Sequence, residues 1–290
     1  AHDKNYDPAS LTAGSIVEFI ITSGILVSAS NTSNYALTNP NTWPSGVFIR
    51  LIIESGAIVA GRGGDGGRGG RAFYDDPRHD PRYWEHYGGN RANPSSVVHG
   101  KKGGNALRAT YPIEIENNGI ISVGGGGGGA SGGAISGNDG GGGVFYGRTQ
   151  SGSGGGGGWP FGAGGNVGQM NYDDTIFTDY TYSVYSYTYN QQVGNVGETA
   201  TKVIAVSYGG NPRLNGASGG YFAETYTAGT GACPVLSVSA TNGMNSQAYG
   251  DIGYIYAGDG GNGGANGDYA INGNSLITWL ATGAIYGTIV

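Results

Sequence analysis

The sequence predicts a chain with essentially no α-helix: mostly irregular and β, a bundle of polyglycine II helices on a β-hairpin base, carrying long aromatic loops. Three observations predict it. Glycine recurs with a period of three in Gly61-Arg62-Gly63-Gly64-Asp65-Gly66-Gly67-Arg68-Gly69-Gly70-Arg71. A short apolar motif around a turn glycine appears four times. Tyrosine-rich stretches interrupt the glycine runs.

A period of three fits neither an α-helix nor a β-strand. It is the period of the extended left-handed polyproline II helix, which has no internal hydrogen bonds. With two glycines in every three positions, such a helix accepts close neighbours on two sides and presents one outward side chain. The 62 glycines among 290 residues are about three times the ordinary share of roughly 7%, a composition shared with flexible linkers. An aromatic content of 11% argues for a folded chain, because disordered segments are poor in aromatics. Ordering this much glycine is entropically costly, so bonds between backbones are expected to carry much of the stability.

Taken in order, residues 1–13 read as a polar lead-in. Ile16-Val17-Glu18-Phe19-Ile20-Ile21, Thr22-Ser23-Gly24 and Ile25-Leu26-Val27 read as strand, tight turn, strand. The pattern returns around Gly56, Gly119 and Gly283. Four residues before each glycine stand Ile20, Ile52, Ile115 and Trp279; two residues after stand Leu26, Ile58, Ile121 and Ile285. Fixed apolar positions on both sides of a turn predict one repeated hairpin. The expected division is a β-structured base or attachment region over 1–60 and a polyglycine II domain over 61–290, closed by a hairpin at 271–290.

Further glycine runs cover about 124–133, 137–143, 152–158, 162–168, 209–220 and 258–267. Between them lie inserts of different chemistry: 72–100, 144–150, Trp159-Pro160-Phe161, 169–208 and 221–250. Tyr180 and its successors read as a strand paired with Thr201 to Ser207 in a long hairpin. Six runs between Gly119 and Gly283 put inserts 72–100 and 221–257 at the far end, with 169–208 near the base. If 152–168 is a single run, 169–208 moves to the far end.

The net charge of −6 disfavours nucleic acid as a general partner. Residues 62–108 hold nine of the 14 basic and five of the 20 acidic residues, so this segment is +4 and the remainder −10. The single Cys233 excludes an internal disulfide and a cysteine metal site. No run reaches the roughly 18 apolar residues of a membrane span. There is no signal peptide, and a start at Ala1 without methionine points to a processed product or an excised domain. Asp75, Asp76, His79, Asp80 and His86 have a spacing compatible with metal ligation, but a solvated loop of mixed charge accounts for them; no metal or cofactor is expected. Glu114 and Glu116 alternate with Ile113 and Ile115, which places them on the outer face of a strand and not in acid–base work. No nucleophile or phosphate-loop motif stands in a strand–helix context, so the chain is read as a non-enzyme.

Tyrosine, tryptophan, glycine, serine and asparagine on loops held by a rigid frame form the composition of binding surfaces. The candidate contact residues are Arg78, Arg82, Tyr83, Trp84, His86, Tyr87, Trp159, Phe161, Tyr180, Tyr182, Tyr185, Tyr187, Tyr189, Tyr221, Phe222, Tyr226 and Tyr249.

The unit Ile115-Glu116-Asn117-Asn118-Gly119-Ile120-Ile121-Ser122-Val123-Gly124 and the ending Ala270-Ile271-Asn272-Gly273-Asn274-Ser275 with Thr278-Trp279 resemble glycine-rich receptor-binding domains of tailed bacteriophages. These include distal tail-fibre adhesins of T-even-type phages and C-terminal domains of lambda-like host-specificity tail-tip proteins. The resemblance covers about residues 47–290. It implies a polyglycine II sandwich, located in the virion at the tail tip or fibre, whose loops bind an outer-membrane protein, lipopolysaccharide or both. Its partners would be that receptor and the remainder of the tail, with no nucleic acid and no membrane insertion. The fibre-attachment domain of the T-even group is not apparent, which favours the tail-tip group or a truncated chain. An ice-binding polyglycine II protein and a polysaccharide-degrading tailspike are the alternatives, but bulky inserts spoil an ice-binding face and no facing carboxylate pair is visible.

Overall fold

The computed structural model of this chain describes residues 10–39, 42–69, 72–73, 99–130, 134–139, 145–150, 154–165, 170–171, 180–182, 198–200, 204–207, 229–243, 254–257 and 261–290. The chain divides into two compact units: residues 1–62, 103–124 and 266–290, and residues 63–102 and 125–265. The expected boundary at residue 60 therefore differs from the observed one, because the base also draws on two later segments. Among the described residues there is no α-helix, only strands and two 3-10 turns.

The first unit is built from four coils. Coil 1 is β1 (Ile16–Ile21), β2 (Leu26–Ser28) and β3 (Leu37–Asn39). Coil 2 begins with β4 (Phe48–Ile53) and β5 (Ile58–Ala60); the chain then passes through the second unit, including β6 (Ala72–Phe73), and coil 2 closes with β7 (Leu107–Ala109). Coil 3 begins with β8 (Ile113–Asn117) and β9 (Ile120–Ser122). A long excursion follows, holding β10 (Ala134–Asp139), β11 (Phe145–Gln150), β12 (Met170–Asn171), β13 (Tyr180–Tyr182), β14 (Glu198–Ala200), β15 (Ile204–Ser207) and β16 (Tyr254–Ala257), before β17 (Tyr269–Asn272) closes coil 3. Coil 4 is β18 (Ile277–Ala281), β19 (Ala284–Tyr286) and β20 (Thr288–Ile289).

Corresponding strands of successive coils stack into three sheets, β1-β4-β8-β18, β2-β5-β9-β19 and β3-β7-β17-β20. Every pairing in them is parallel. The unit is a three-faced parallel β-solenoid, so the predicted hairpins are corrected. The repeat is real, but the two strands flanking each turn glycine lie in different sheets, and each pairs with its counterpart in the next coil. The same correction applies to 271–290, where β18 and β19 are not partners and β20 pairs with β17. The physical reason is the turn itself. Gly24 and Gly56, at φ +79° and +84°, make corners that stack by Gly24 N–H donating to Gly56 O at 3.2 Å, and a corner redirects the chain without reversing it.

The repeat alignment holds between coils 1 and 2, where Ile20 faces Ile52, and between coils 3 and 4, where Ile115 faces Trp279. Between coils 2 and 3 it slips by one residue, so that Leu51 faces Ile115 and Ile58 faces Ile120. The core runs up the solenoid axis through Ile49, Leu51, Ile53, Val59, Leu107, Ile115, Ile121 and Ile271, all buried. Burying each such side chain contributes about 1.5–3 kcal/mol relative to exposure. Outside, the register stacks Glu18, Arg50 and Glu114 into a ladder. Arg50 donates from Nε and Nη2 to Glu114 Oε2 at 2.9 and 2.7 Å, and from Nη1 to Glu18 Oε1 at 3.2 Å. Glu114 is thus a structural partner on an outer strand face, as its alternation predicted.

The second unit contains eight extended segments, 63–69, 99–102, 125–130, 154–158, 162–165, 229–232, 239–243 and 261–265, bonded to one another through the backbone. Residues 125–130 form their centre and are entirely buried. Their bonds repeat every three residues. Gly125 and Gly128 donate to Trp159 O and Gly156 O, and accept from Gly64 and Gly67. Gly126 O and Gly129 O accept from Ala232 and Gly229; Gly127 O and Ala130 O accept from Gly264 and Gly261. Gly127 also donates to Lys101 O, and Gly129 to Thr241 O. Six neighbours therefore surround one segment. A side chain has no space there, since a Cβ on Gly126 or Gly129 would overlap the carbonyl oxygen of Gly264 or Gly261.

Candidate functional site

The hydrogen-bond pairings fix which segment ends lie together. Gly67 stands beside Gly155 and Gly128, Gly155 beside Gly165, Gly129 beside Gly229, and Ala130 beside Gly261, which in turn bonds Gly243. Asn262 N–H donates to His99 Nδ1 at 2.9 Å. The chain thus leaves the array after Gly69, Ala130, Gly165 and Gly243, and returns at His99, Gly154, Gly229 and Gly261, all at one end. Four inserts, 70–98, 131–153, 166–228 and 244–260, are rooted there. The opposite end is closed by two short turns, Trp159-Pro160-Phe161 and the bridged loop from Cys233 to Val238.

This corrects the insert map. Six segments after Gly119 join the array among the described residues, but 229–232 and 239–243 are two of them, while 134–139 is strand β10 and 209–220 lies outside the described residues. The roots of insert 169–208, at Gly165 and Gly229, accordingly lie at the same end of the array as those of the other inserts. The missed segments, Gly229-Thr230-Gly231-Ala232 and Ser239-Ala240-Thr241-Asn242-Gly243, lack the two-in-three glycine period because they lie at the edge of the array. A rim segment requires glycine only where a neighbour approaches; Thr230 faces outward enough to pair its hydroxyl with that of Thr241 at 3.2 Å.

Of the candidate contact residues, Trp159 and Phe161 are not brought to the insert end. Trp159 is fully buried, its backbone N–H on Ala232 O and its indole N–H without a hydrogen-bond partner; it is a core side chain. Phe161 is 49% exposed at φ +61°, on the opposite side of the array. Tyr180 and Tyr182 lie in β13, which pairs antiparallel with β14 (198–200). The expected partner, 201–207, contributes β15 to another sheet instead. Arg78, Arg82, Tyr83, Trp84, His86, Tyr87, Tyr185, Tyr187, Tyr189, Tyr221, Phe222, Tyr226 and Tyr249 lie outside the described residues, as do Asp75, Asp76, His79 and Asp80.

Strands from three inserts meet in one antiparallel sheet of order β15-β11-β10-β16. Insert composition is as distinctive as placement. Sixteen of the 21 tyrosines fall in these four inserts, although they make up less than half of the chain. Insert 70–98 has four basic and four acidic residues, 131–153 has one of each, 166–228 has two against five, and 244–260 has two acidic residues only. The four inserts together are −5. The positive excess of residues 62–108 therefore lies in the frame, at Arg62, Arg68, Lys101, Lys102 and Arg108. There Lys101 Nζ pairs with Asp65 Oδ2 at 3.0 Å, and Asp65 Oδ1 accepts from Ala163 N–H at 3.1 Å.

Among the described residues no group of three or more His, Cys, Asp or Glu is placed to hold a metal, and no helix is long and apolar enough to cross a membrane. Cys233 is buried, and that burial raises its thiol pKa.

The chain matches the family described as phage tail fibre adhesin Gp38 over residues 2–290. It belongs to that family. Neither a curated protein nor a solved structure matches it. A Gp38-family adhesin is a receptor-binding component of the phage tail that attaches the virion to its host. The match corrects the preference for the tail-tip group and extends the resemblance to residues 2–46, among which the three strands of coil 1 lie. Sequence reading missed that relationship because coil 1 carries no polyglycine.

The solenoid has a second feature. Beyond β1, β2 and β3 no further coil follows among the described residues. A cleft of about 320 Å³ opens there between Phe19, Val27, Leu37, Trp43, Leu51 and Leu107. Phe19 and Trp43 meet edge to face, with ring centroids 6.1 Å apart, yet Phe19, Ile16, Ile20 and Phe48 remain 46–59% exposed.

Proposed function

We propose that this chain is the host-recognition tip of a tail fibre, binding an outer-membrane receptor through inserts 70–98, 131–153, 166–228 and 244–260. The observation that carries this reading is the rooting of all four inserts at one end of the glycine array. A Cβ-free frame that is bonded to six neighbours supplies rigidity and no recognition chemistry. Tyrosine-rich loops supply large contact areas with few rotatable bonds. Binding involves no covalent step, so no catalytic residue is assigned.

The glycine segments are read as polyglycine II helices. The support is the three-residue bonding period with successive residues addressing different neighbours, which neither an α-helix nor a β-ladder supplies. The contact set is Arg78, Arg82, Tyr83, Trp84, His86, Tyr87, Tyr180, Tyr182, Tyr185, Tyr187, Tyr189, Tyr221, Phe222, Tyr226 and Tyr249. A net charge of −5 across the inserts favours an outer-membrane protein as the main receptor, with lipopolysaccharide phosphates meeting Arg78, Arg82 and Arg91. The coil 1 end of the solenoid, where among the described residues three strand edges are unpaired and apolar side chains are exposed, is the face that joins the remainder of the fibre.

Adsorption competition tests the reading. The purified chain should block phage adsorption to a sensitive strain and lose binding on one outer-membrane-protein knockout of a panel. Equal binding to the parent and to every receptor mutant, lipopolysaccharide mutants included, rejects it.

A further inference from the structure

The antiparallel sheet at the insert end has β16 (Tyr254–Ala257) at one edge, paired on one side with β10 through Ala134↔Ala257, Ile135↔Tyr256, Ser136↔Ile255 and Gly137↔Tyr254. Among the described residues nothing pairs with its other side. We propose that β16 is a docking edge, and that an extended segment of a host surface protein, basic at its flanks, adds to it as a further antiparallel or parallel strand. This rests on the adhesin reading and names how the same site holds its receptor.

Three observations carry it. The first is rigidity. Gly261 N–H donates to Ala130 O at 2.7 Å, and both residues are buried in the glycine array. Four residues outward along each strand from that bond, Ala257 stands opposite Ala134. The β10–β16 ladder thus keeps the antiparallel register of the Gly261–Ala130 frame bond, and this shared register ties the edge to the frame. The opposite edge, β15, has no described frame residue within twenty positions on either side, and is not rooted in this way.

The second is that, among the described residues, the edge is left open to pairing. Natural sheets blunt exposed edges with lysine, proline, bulges or very short strands; β16 is short, at four residues, but carries none of the other three devices. Tyr254-Ile255-Tyr256-Ala257 contains no charge and no proline, three of its four residues have high strand propensity, and its register with β10 has no bulge. In an edge strand alternate residues turn both N–H and C=O outward. These are groups that an added strand satisfies, with affinity from the main chain and selectivity from side-chain positions on alternate faces.

The third is charge. Asp251 and Asp259 bracket the strand in sequence, and the inserts together are −5. Phosphate-bearing glycan is disfavoured beside them, whereas lysine or arginine flanking an incoming strand is favoured.

The experiment uses the whole chain and outer-membrane vesicles from a strain to which it adsorbs. Hydrogen exchange is measured across 252–258 with and without saturating vesicles, and binding is compared for Ile255→Pro and Tyr256→Pro. Receptor pairing should slow exchange of the outward amides of 254–257 at least tenfold. The proline that removes an outward N–H should weaken binding by about tenfold, the loss of one net hydrogen bond, while unfolding at the wild-type temperature. Unchanged exchange at 254–257 during saturated binding overturns the proposal and leaves the adhesin reading intact. The same protection with protease-shaved vesicles overturns it in favour of glycan. A chain that adsorbs to no host rejects the adhesin reading and this inference together.

Discussion

Asn117 shows how much rests on single side chains at the solenoid corners. It is fully buried, its Nδ2 donates to Thr282 O at 2.6 Å, and its Oδ1 accepts the Gly119 N–H at 3.1 Å. Coil 3 has no positive-φ glycine at this corner, unlike coils 1, 2 and 4, and the Asn117 amide ties the turn instead. Asn117→Ala should cost about 2 kcal/mol in urea unfolding, because the buried Gly119 N–H and the part-buried Thr282 carbonyl both lose their partner. Cys233 offers a second residue-level check. Burial raises its pKa above the ordinary 9.0, so its contribution to stability is complete below pH 9 and is lost as pH rises beyond it. Stability measured at pH 8 and pH 10 should therefore fall less in Cys233→Ala than in the parent chain. The native thiol should also ignore aromatic disulfide reagents until the chain is unfolded.

Among elements, the central segment 125–130 is the least tolerant of change. Gly126→Ala or Gly129→Ala places a methyl on a backbone carbonyl of a neighbouring segment, and backbone on that side has no freedom to retreat among six neighbours. Either variant should fail to reach the native state or melt more than 10 °C lower, of the order expected for overpacking at about 1–3 kcal/mol or more. Gly156→Ala is the control. Its Cβ approaches no atom closer than 3.0 Å, so the melting temperature should fall by only a few degrees, checked by calorimetry. The glycine period was legible in the sequence because burial on several sides demands it. Segments 229–232 and 239–243 were not legible, since a rim position accepts threonine, asparagine or alanine and leaves no period behind.

For the whole molecule, the proposed function puts recognition and attachment in different units, so the two should be separable by mutation. Tyr185→Ala, Tyr187→Ala and Tyr189→Ala combined should reduce adsorption to host cells by at least tenfold with little change in melting temperature, consistent with loss of aromatic anchors. Ile20→Lys, on the exposed strand β1, should leave host adsorption unchanged and abolish incorporation into fibres in a complementation assay. Incorporation at the parental level would move the attachment face elsewhere.

The sequence by itself determined the lack of α-helix among the described residues, the three-residue glycine frame, the four-fold corner repeat and the tyrosine-rich inserts. Each is a local demand, from backbone contact, from turn geometry or from side-chain composition, and such demands are written residue by residue. Only the tertiary structure decided that the repeat stacks in parallel into a solenoid, because a glycine corner and a hairpin turn look alike until the strands find partners. It also decided that all four inserts leave from one end, and that Trp159 lies in the core and not on a binding loop. Those outcomes depend on which segments neighbour one another, and neighbours distant in the chain leave no mark on its local pattern.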